Sequence, residues 1–150
     1  MTPEEFPALF AEGWALPKPG PFLDYFLPLI DDQATFTQPM FPVARGPAEI
    51  EHMFRRLFAL LPDLTAEPRQ HAVHAHTVYV ESDCRATLGT KSVNFSVCDR
   101  FVIENGKILD RLSYSDPTAM ILAILRRPRS WRRAVSSRIG STRPVITARP

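Results

Sequence analysis

No run of eighteen apolar residues occurs in the 150-residue chain, which leaves no candidate for a transmembrane helix. The opening stretch, MTPEEF, has neither a basic start nor an apolar signal region, so the protein is expected to be cytoplasmic. Cysteine is scarce: Cys84 and Cys98 are the whole complement, too few for a disulfide framework. They fall on opposite faces of the strands read below, which argues against a bridge between them. Phosphate-binding glycine loops, a Gly-x-Ser-x-Gly elbow, zinc motifs and internal repeats are all missing. His71, His74 and His76 lie close together, but no acidic or cysteine partner is spaced to complete a ligand set. Neither a metal nor any other cofactor is expected.

Acidic residues are missing from one region only. From Arg126 onward there are eight arginines and no acid, so the net charge of +2 hides a body of about −6 and a tail of about +8. Residues 1–126 are therefore read as one domain and 127–150 as an arginine-rich, flexible tail. Such a tail is either solvated or docked on an anionic surface. No specific recognition of nucleic acid is expected.

What the chain does have is a clean alternation over Ser92–Asp116, SVNFSVCDRFVIENGKILDRLSYSD. Val93, Phe95, Val97, Asp99, Phe101 and Ile103 share one face of a strand, and the other face is mostly polar. A period of two means a half-buried strand. Asn105-Gly106 is a favoured two-residue hairpin turn, because both residues tolerate positive φ. Pairing Glu104 with Lys107 sets Asp99 opposite Leu112, on a face with Ile108, Asp110 and Tyr114. A turn at Gly89-Thr90 pairs Leu88 with Lys91 and sets Asp99 opposite Val80, on a face with Val78, Ser82, Cys84 and Ala86. Both turns bring the apolar faces together, as a sheet requires.

The remaining elements follow in order. Thr2-Pro3-Glu4-Glu5 reads as a capping box, opening a helix that carries Phe6, Leu9, Phe10 and Trp14 on one side. A second helix runs from Phe22 to about Ile30, with Asp31-Asp32 as its solvated end. Ala34–Gln38 is a short strand with Ala34, Phe36 and Gln38 on one face. Pro47 and Pro62 bracket the third helix, whose stripe is Ile50, Met53, Phe54, Leu57, Phe58 and Leu61. Leu64–Val73 and Thr77–Leu88 are strands separated by a turn near His74–His76. AMILAIL, after Asp116-Pro117, is a short C-terminal helix.

Asp99 carries the chemical interest, since a carboxyl on an apolar face must be compensated. Either it is a core carboxylate satisfied by Tyr114 or a backbone donor, or it is an acid kept neutral by desolvation and able to donate to a ligand oxygen.

This order of elements resembles the nuclear transport factor 2-like superfamily, which includes SnoaL-like polyketide cyclases, ketosteroid isomerases, limonene epoxide hydrolases and scytalone dehydratases. The resemblance spans roughly residues 4 to 126. It is carried by Gln38-Pro39, by Arg45-Gly46-Pro47, and by CDRFVIENGKI leading to Tyr114-Ser115-Asp116-Pro117. It implies an α+β cone-shaped roll, in which a curved, mostly antiparallel sheet wraps a pocket closed by three helices. It also implies a homodimer. Asp99 matches the oxyanion-hole aspartate of the isomerases, whereas their general-base position is held by Gln38, whose amide cannot shuttle a proton. Their oxyanion tyrosine falls near Trp14, and the acid aspartate of the epoxide hydrolases lands on Ser113. Whether Ser113 or Tyr114 faces the pocket depends on a bulge in the last strand.

The expected site is therefore an apolar cavity holding a small lipophilic, oxygen-bearing molecule of steroid or polyketide type. Asp99 is its catalytic candidate, and Trp14, Gln38, Val80, Phe95, Val97, Phe101, Leu112 and Tyr114 are its ligand-binding candidates. If chemistry follows binding, the resemblance implies a cofactor-independent isomerase, cyclase or dehydratase. The alternative is a non-catalytic dimeric interaction protein whose basic tail docks on a membrane surface or partner.

Overall fold

The alternation in β5 (Lys91–Glu104) decides where the sheet turns its apolar face, and the neighbours follow it. In the computed structural model, which describes residues 1–88 and 91–116, β4 (Thr77–Leu88) and β6 (Lys107–Ser115) flank β5, antiparallel to it. β3 (Thr65–His74) pairs outside β4. On the other side β1 (Ile30–Thr37) runs parallel to β6, and the two-residue β2 (Ala44–Arg45) closes that edge. The sheet order is β2-β1-β6-β5-β4-β3. Asn105 and Gly106 both take positive φ, 51° and 78°, as the tight β5–β6 turn demands.

Three helices cover the inner face of this sheet, giving the α+β, cone-like roll. α1 (Phe6–Ala15) packs on β3 and β4, α2 (Gly20–Phe26) on α1, and α3 (Gly46–Leu60) on β1 and β2. The capping box before α1 is formed: Thr2 N donates to Glu5 Oε2 at 2.8 Å, and Glu5 N donates to Thr2 Oγ1 at 3.3 Å. Gly13 lets α2 approach, since a Cβ there would lie 2.3 Å from the Phe26 ring. Glu49 reaches back to accept from Arg45 N at the start of α3, and its stripe buries Ile50, Met53, Phe54, Phe58 and Leu61. Phenylalanines dominate the joint between helices and sheet, with Phe6 and Phe10 packed against Phe101 and Phe22 against Phe54 and Phe58.

Two expectations need correction here. α2 ends at Phe26 and a single 3-10 turn, Leu27–Leu29, follows; Asp31 and Asp32 then belong to β1, which begins at Ile30. Pro28, with no N–H to give and a ring in the way, ends the α-helical bonding early. The first strand is thus longer than Ala34–Gln38 suggested. The Gly89-Thr90 turn, the AMILAIL helix and the 127–150 tail lie outside the described residues, although Leu88 and Lys91 pair as expected. None of the described helices is long and apolar enough to cross a membrane.

Candidate functional site

The site is assembled by one irregularity in β6. Glu104 pairs with Lys107 and Ile103 with Ile108, but Val102 then pairs with Asp110, so Leu109 is an extra residue. A bulge adds one residue to a strand, and with a period of two it moves every later side chain to the opposite face. Asp99 consequently lies opposite Ser113, not Leu112. Leu112 and Tyr114 turn to the outer face, where Tyr114 is 51% exposed, while Arg111 and Ser113 turn inward and are buried. The pairing on the other side is as expected, Val80 with Asp99 and Ser82 with Val97.

Arg111 supplies what Asp99 needs. Its Nη2 donates to both carboxylate oxygens, at 3.0 and 3.1 Å, and its Nη1 donates to Gln38 Oε1 at 3.1 Å. The guanidinium carbon lies 5.6–5.9 Å from the ring centroids of Phe36, Phe54 and Phe101, so three aromatic faces share in holding the cation. Asp99 is 3% exposed and Arg111 6%. Arginine does not give up its proton in proteins and can only donate. Asp99 is therefore the accepting half of a buried ion pair: of the two readings, the satisfied carboxylate fits this geometry and the neutral, donating acid does not, with Arg111 as the partner in place of Tyr114 or a backbone donor. Tyr114 plays no part in satisfying it.

The pair opens onto a cavity of about 70 Å³. Phe10, Trp14, Leu57, Leu64, Phe95 and Val97 make its apolar walls, with Pro39, Met40 and Phe41 along one side. Gln38, Ser82, Asp99, Arg111, Ser113, Ser115 and Asp116 are the polar groups on its lining. The Ser82 hydroxyl is buried with no hydrogen-bond partner. Cys84, also on the lining, has its thiol pushed up to about 12 by burial, with the charge of Asp99 adding to the effect. It is a protonated thiol at neutral pH and a poor nucleophile.

Of the residues expected at the site, Trp14, Gln38, Phe95, Val97 and Asp99 come together around the cavity. Phe101 lines a smaller void of about 20 Å³ beside Arg111. Val80 is buried at 1% exposure and does not border the cavity. Leu112 and Tyr114 are on the wrong face. Arg111, Ser82 and Ser113 were not foreseen as polar groups facing a ligand together. The signal for Arg111 was indirect: a carboxylate on an apolar face calls for a cation, and Arg111 is close by in β6. His71, His74 and His76 are exposed, and no metal-binding group of three or more His, Cys, Asp or Glu exists among the described residues.

Comparison with known proteins gives a consistent picture. The model of the SnoaL-like domain family matches residues 8–111. No curated protein matches the chain. Among solved structures, a protein described as a SnoaL-like polyketide cyclase from Jannaschia sp. CCS1 superposes with a TM-score of 0.72 at 17% identity, covering 83% of this chain and 92% of that one. TerC, co-crystallised with polyporic acid, gives 0.69 at 16% identity, over 83% and 99%. An LEH-like epoxide hydrolase from M. tuberculosis gives 0.64 at 22% identity, over 83% and 92%. At these identities the likeness is one of fold.

Proposed function

Because the chain belongs to the SnoaL-like domain family, we propose that it binds a small oxygen-bearing organic molecule in the cavity and performs acid–base chemistry on it through Asp99 and Arg111. The observation that carries this reading is a buried guanidinium–carboxylate pair bordering an otherwise apolar hollow. A few convergent polar groups in an apolar cleft are the usual make-up of a small-molecule site. TerC and its polyporic acid support the ligand class.

The roles differ from those of an aspartate that donates. The Asp99 carboxylate is the proton acceptor, and Arg111 is a fixed positive charge beside it. A carbonyl oxygen near the guanidinium would have its developing negative charge stabilised while Asp99 removes a proton from the adjacent carbon. Gln38 cannot take that proton. Ketone isomerisation, aldol-type ring closure and elimination of water next to a carbonyl can each begin with such a step.

Size restricts the ligand. About 70 Å³ is well below the roughly 300–1,000 Å³ of pockets that engulf a drug-sized molecule. A steroid- or polyketide-sized ligand would place only its oxygenated end beside the ion pair. The test is hydrogen–deuterium exchange at the carbons next to the carbonyl of 2-tetralone, followed by NMR in deuterated water. Wild-type protein should accelerate exchange, and Asp99→Asn should lose on the order of a hundredfold or more. Equal acceleration by the two proteins would remove Asp99 as the base.

A further inference from the structure

The guanidinium also fixes the direction in which Gln38 points its amide, and this has a consequence for the ligand. Arg111 Nη1 has only hydrogens to offer, so Gln38 must turn its oxygen toward it, at 3.1 Å. The opposite flip would set donor against donor. The Nε2 amino group is thereby turned away from Arg111. Gln38 is 9% exposed and borders the cavity. Elsewhere on the same lining, Asp99 presents carboxylate oxygens and Ser82 a buried, unpartnered hydroxyl. Ser82 and Asp99 are diagonal neighbours across β4 and β5, since Val80 pairs with Asp99 and Ser82 with Val97.

Charge narrows the choice further. Arg111 and Asp99 cancel, and the other charged side chain on the lining, Asp116, is acidic too, so the lining has no surplus positive charge to offer an anion. A carboxylate or phosphate would enter as an unpaired buried anion, next to Asp99, at a heavy desolvation cost.

Resting on the binding reading above, we infer that the cavity selects a neutral ligand bearing both an acceptor oxygen, read by the Gln38 amino group, and a hydroxyl, read by Ser82 and Asp99. Gln38 is then a specificity residue, held in its donating orientation by Arg111. The ligand class is a hydroxy-ketone or hydroxy-ether, and simple carboxylic acids are excluded.

The experiment is titration calorimetry on the full chain near neutral pH with five probes: 3-hydroxyacetophenone, 4-hydroxyacetophenone, acetophenone, phenol and benzoate. At least one hydroxyacetophenone should bind roughly tenfold more tightly than acetophenone or phenol, one hydrogen bond's worth in each comparison. Benzoate should be the weakest. Gln38→Met should lower affinity for both ketone classes about tenfold and leave phenol unchanged. Gln38→Glu keeps an acceptor for Arg111 while removing the donor, so a folded Gln38→Glu protein with the same selective loss separates the effect from damage to the fold. Tightest binding by benzoate, or a Gln38→Met protein that loses phenol and ketones equally, would overturn the inference while leaving the cavity as a binding site. Failure of all five probes to bind would count against the binding reading itself.

Discussion

Two arginine–aspartate pairs bridge β5 and β6, one on each side of the sheet. On the inner face Arg111 of β6 holds Asp99 of β5 at 3.0 Å, with side-chain exposures of 8% and 4%. On the outer face Arg100 of β5 holds Asp110 of β6 at 2.6 Å, with exposures of 32% and 30%. The chemistry is the same and the outer contact is the shorter, yet the two pairs cannot be worth the same. Water and salt screen the outer pair, whose contribution stays within about 1 kcal/mol. The inner pair has given up hydration that mutual attraction only roughly repays, and breaking it strands a charge. Distance therefore says little about importance here, and burial says a great deal.

Variants can break or sharpen this contrast. The largest effect is expected from Asp99→Ala, which leaves Arg111 buried and unpaired and should cost about 3–5 kcal/mol in urea unfolding. Next comes the alkaline limb of the stability profile. The Cys84 thiol titrates at 9.0 when unfolded and at about 12 when folded, so above pH 9 the unfolded chain releases a proton that the folded chain keeps. Stability is fully present below 9.0 and falls as pH rises toward 12, by at most about 1.4 kcal/mol per pH unit from this group. Cys84→Ala should flatten that slope, measured by denaturant unfolding across the range. Cys98, half-buried on the outer face, should be alkylated by iodoacetamide well before Cys84.

A gain is expected from Ser82→Ala. Removing a buried hydroxyl without a partner should raise stability by roughly 1 kcal/mol while weakening binding of hydroxyl-bearing probes. A loss of stability instead would mean that the hydroxyl is satisfied in solution. The smallest effect belongs to the outer face: Asp110→Asn should change stability by no more than about 1 kcal/mol, and less in high salt. A loss as large as that for Asp99→Ala would erase the distinction between the faces.

The sequence made the frame of this site readable because its signals were local. The alternation of Val93 to Ile103, the Asn105-Gly106 turn and the Pro47–Pro62 bracket each follow from neighbouring residues, and the β4–β5 register followed from the turn expected at Gly89-Thr90. The bulge at Leu109 did not. Residue types favoured the uninterrupted register, since it buries Leu112 and Tyr114, whereas the bulge buries Arg111 and Ser113 in their place. What tips the balance is the partner that Asp99 acquires, a non-local ion pair completed by Gln38, the residue that follows β1. Propensity and periodicity carry no record of such a contact. A lone inward carboxylate was the legible symptom, and its cation was the part hidden by one extra residue.

The most direct test is the double replacement of Asp99→Leu with Arg111→Met, comparing unfolding free energy and affinity for the hydroxyacetophenones with the wild type. If the inner pair is retained for a ligand rather than for holding the protein together, the double variant should recover to within about 1 kcal/mol of wild-type stability and bind the probe at least about tenfold more weakly. Undiminished binding by a folded double variant would contradict the account.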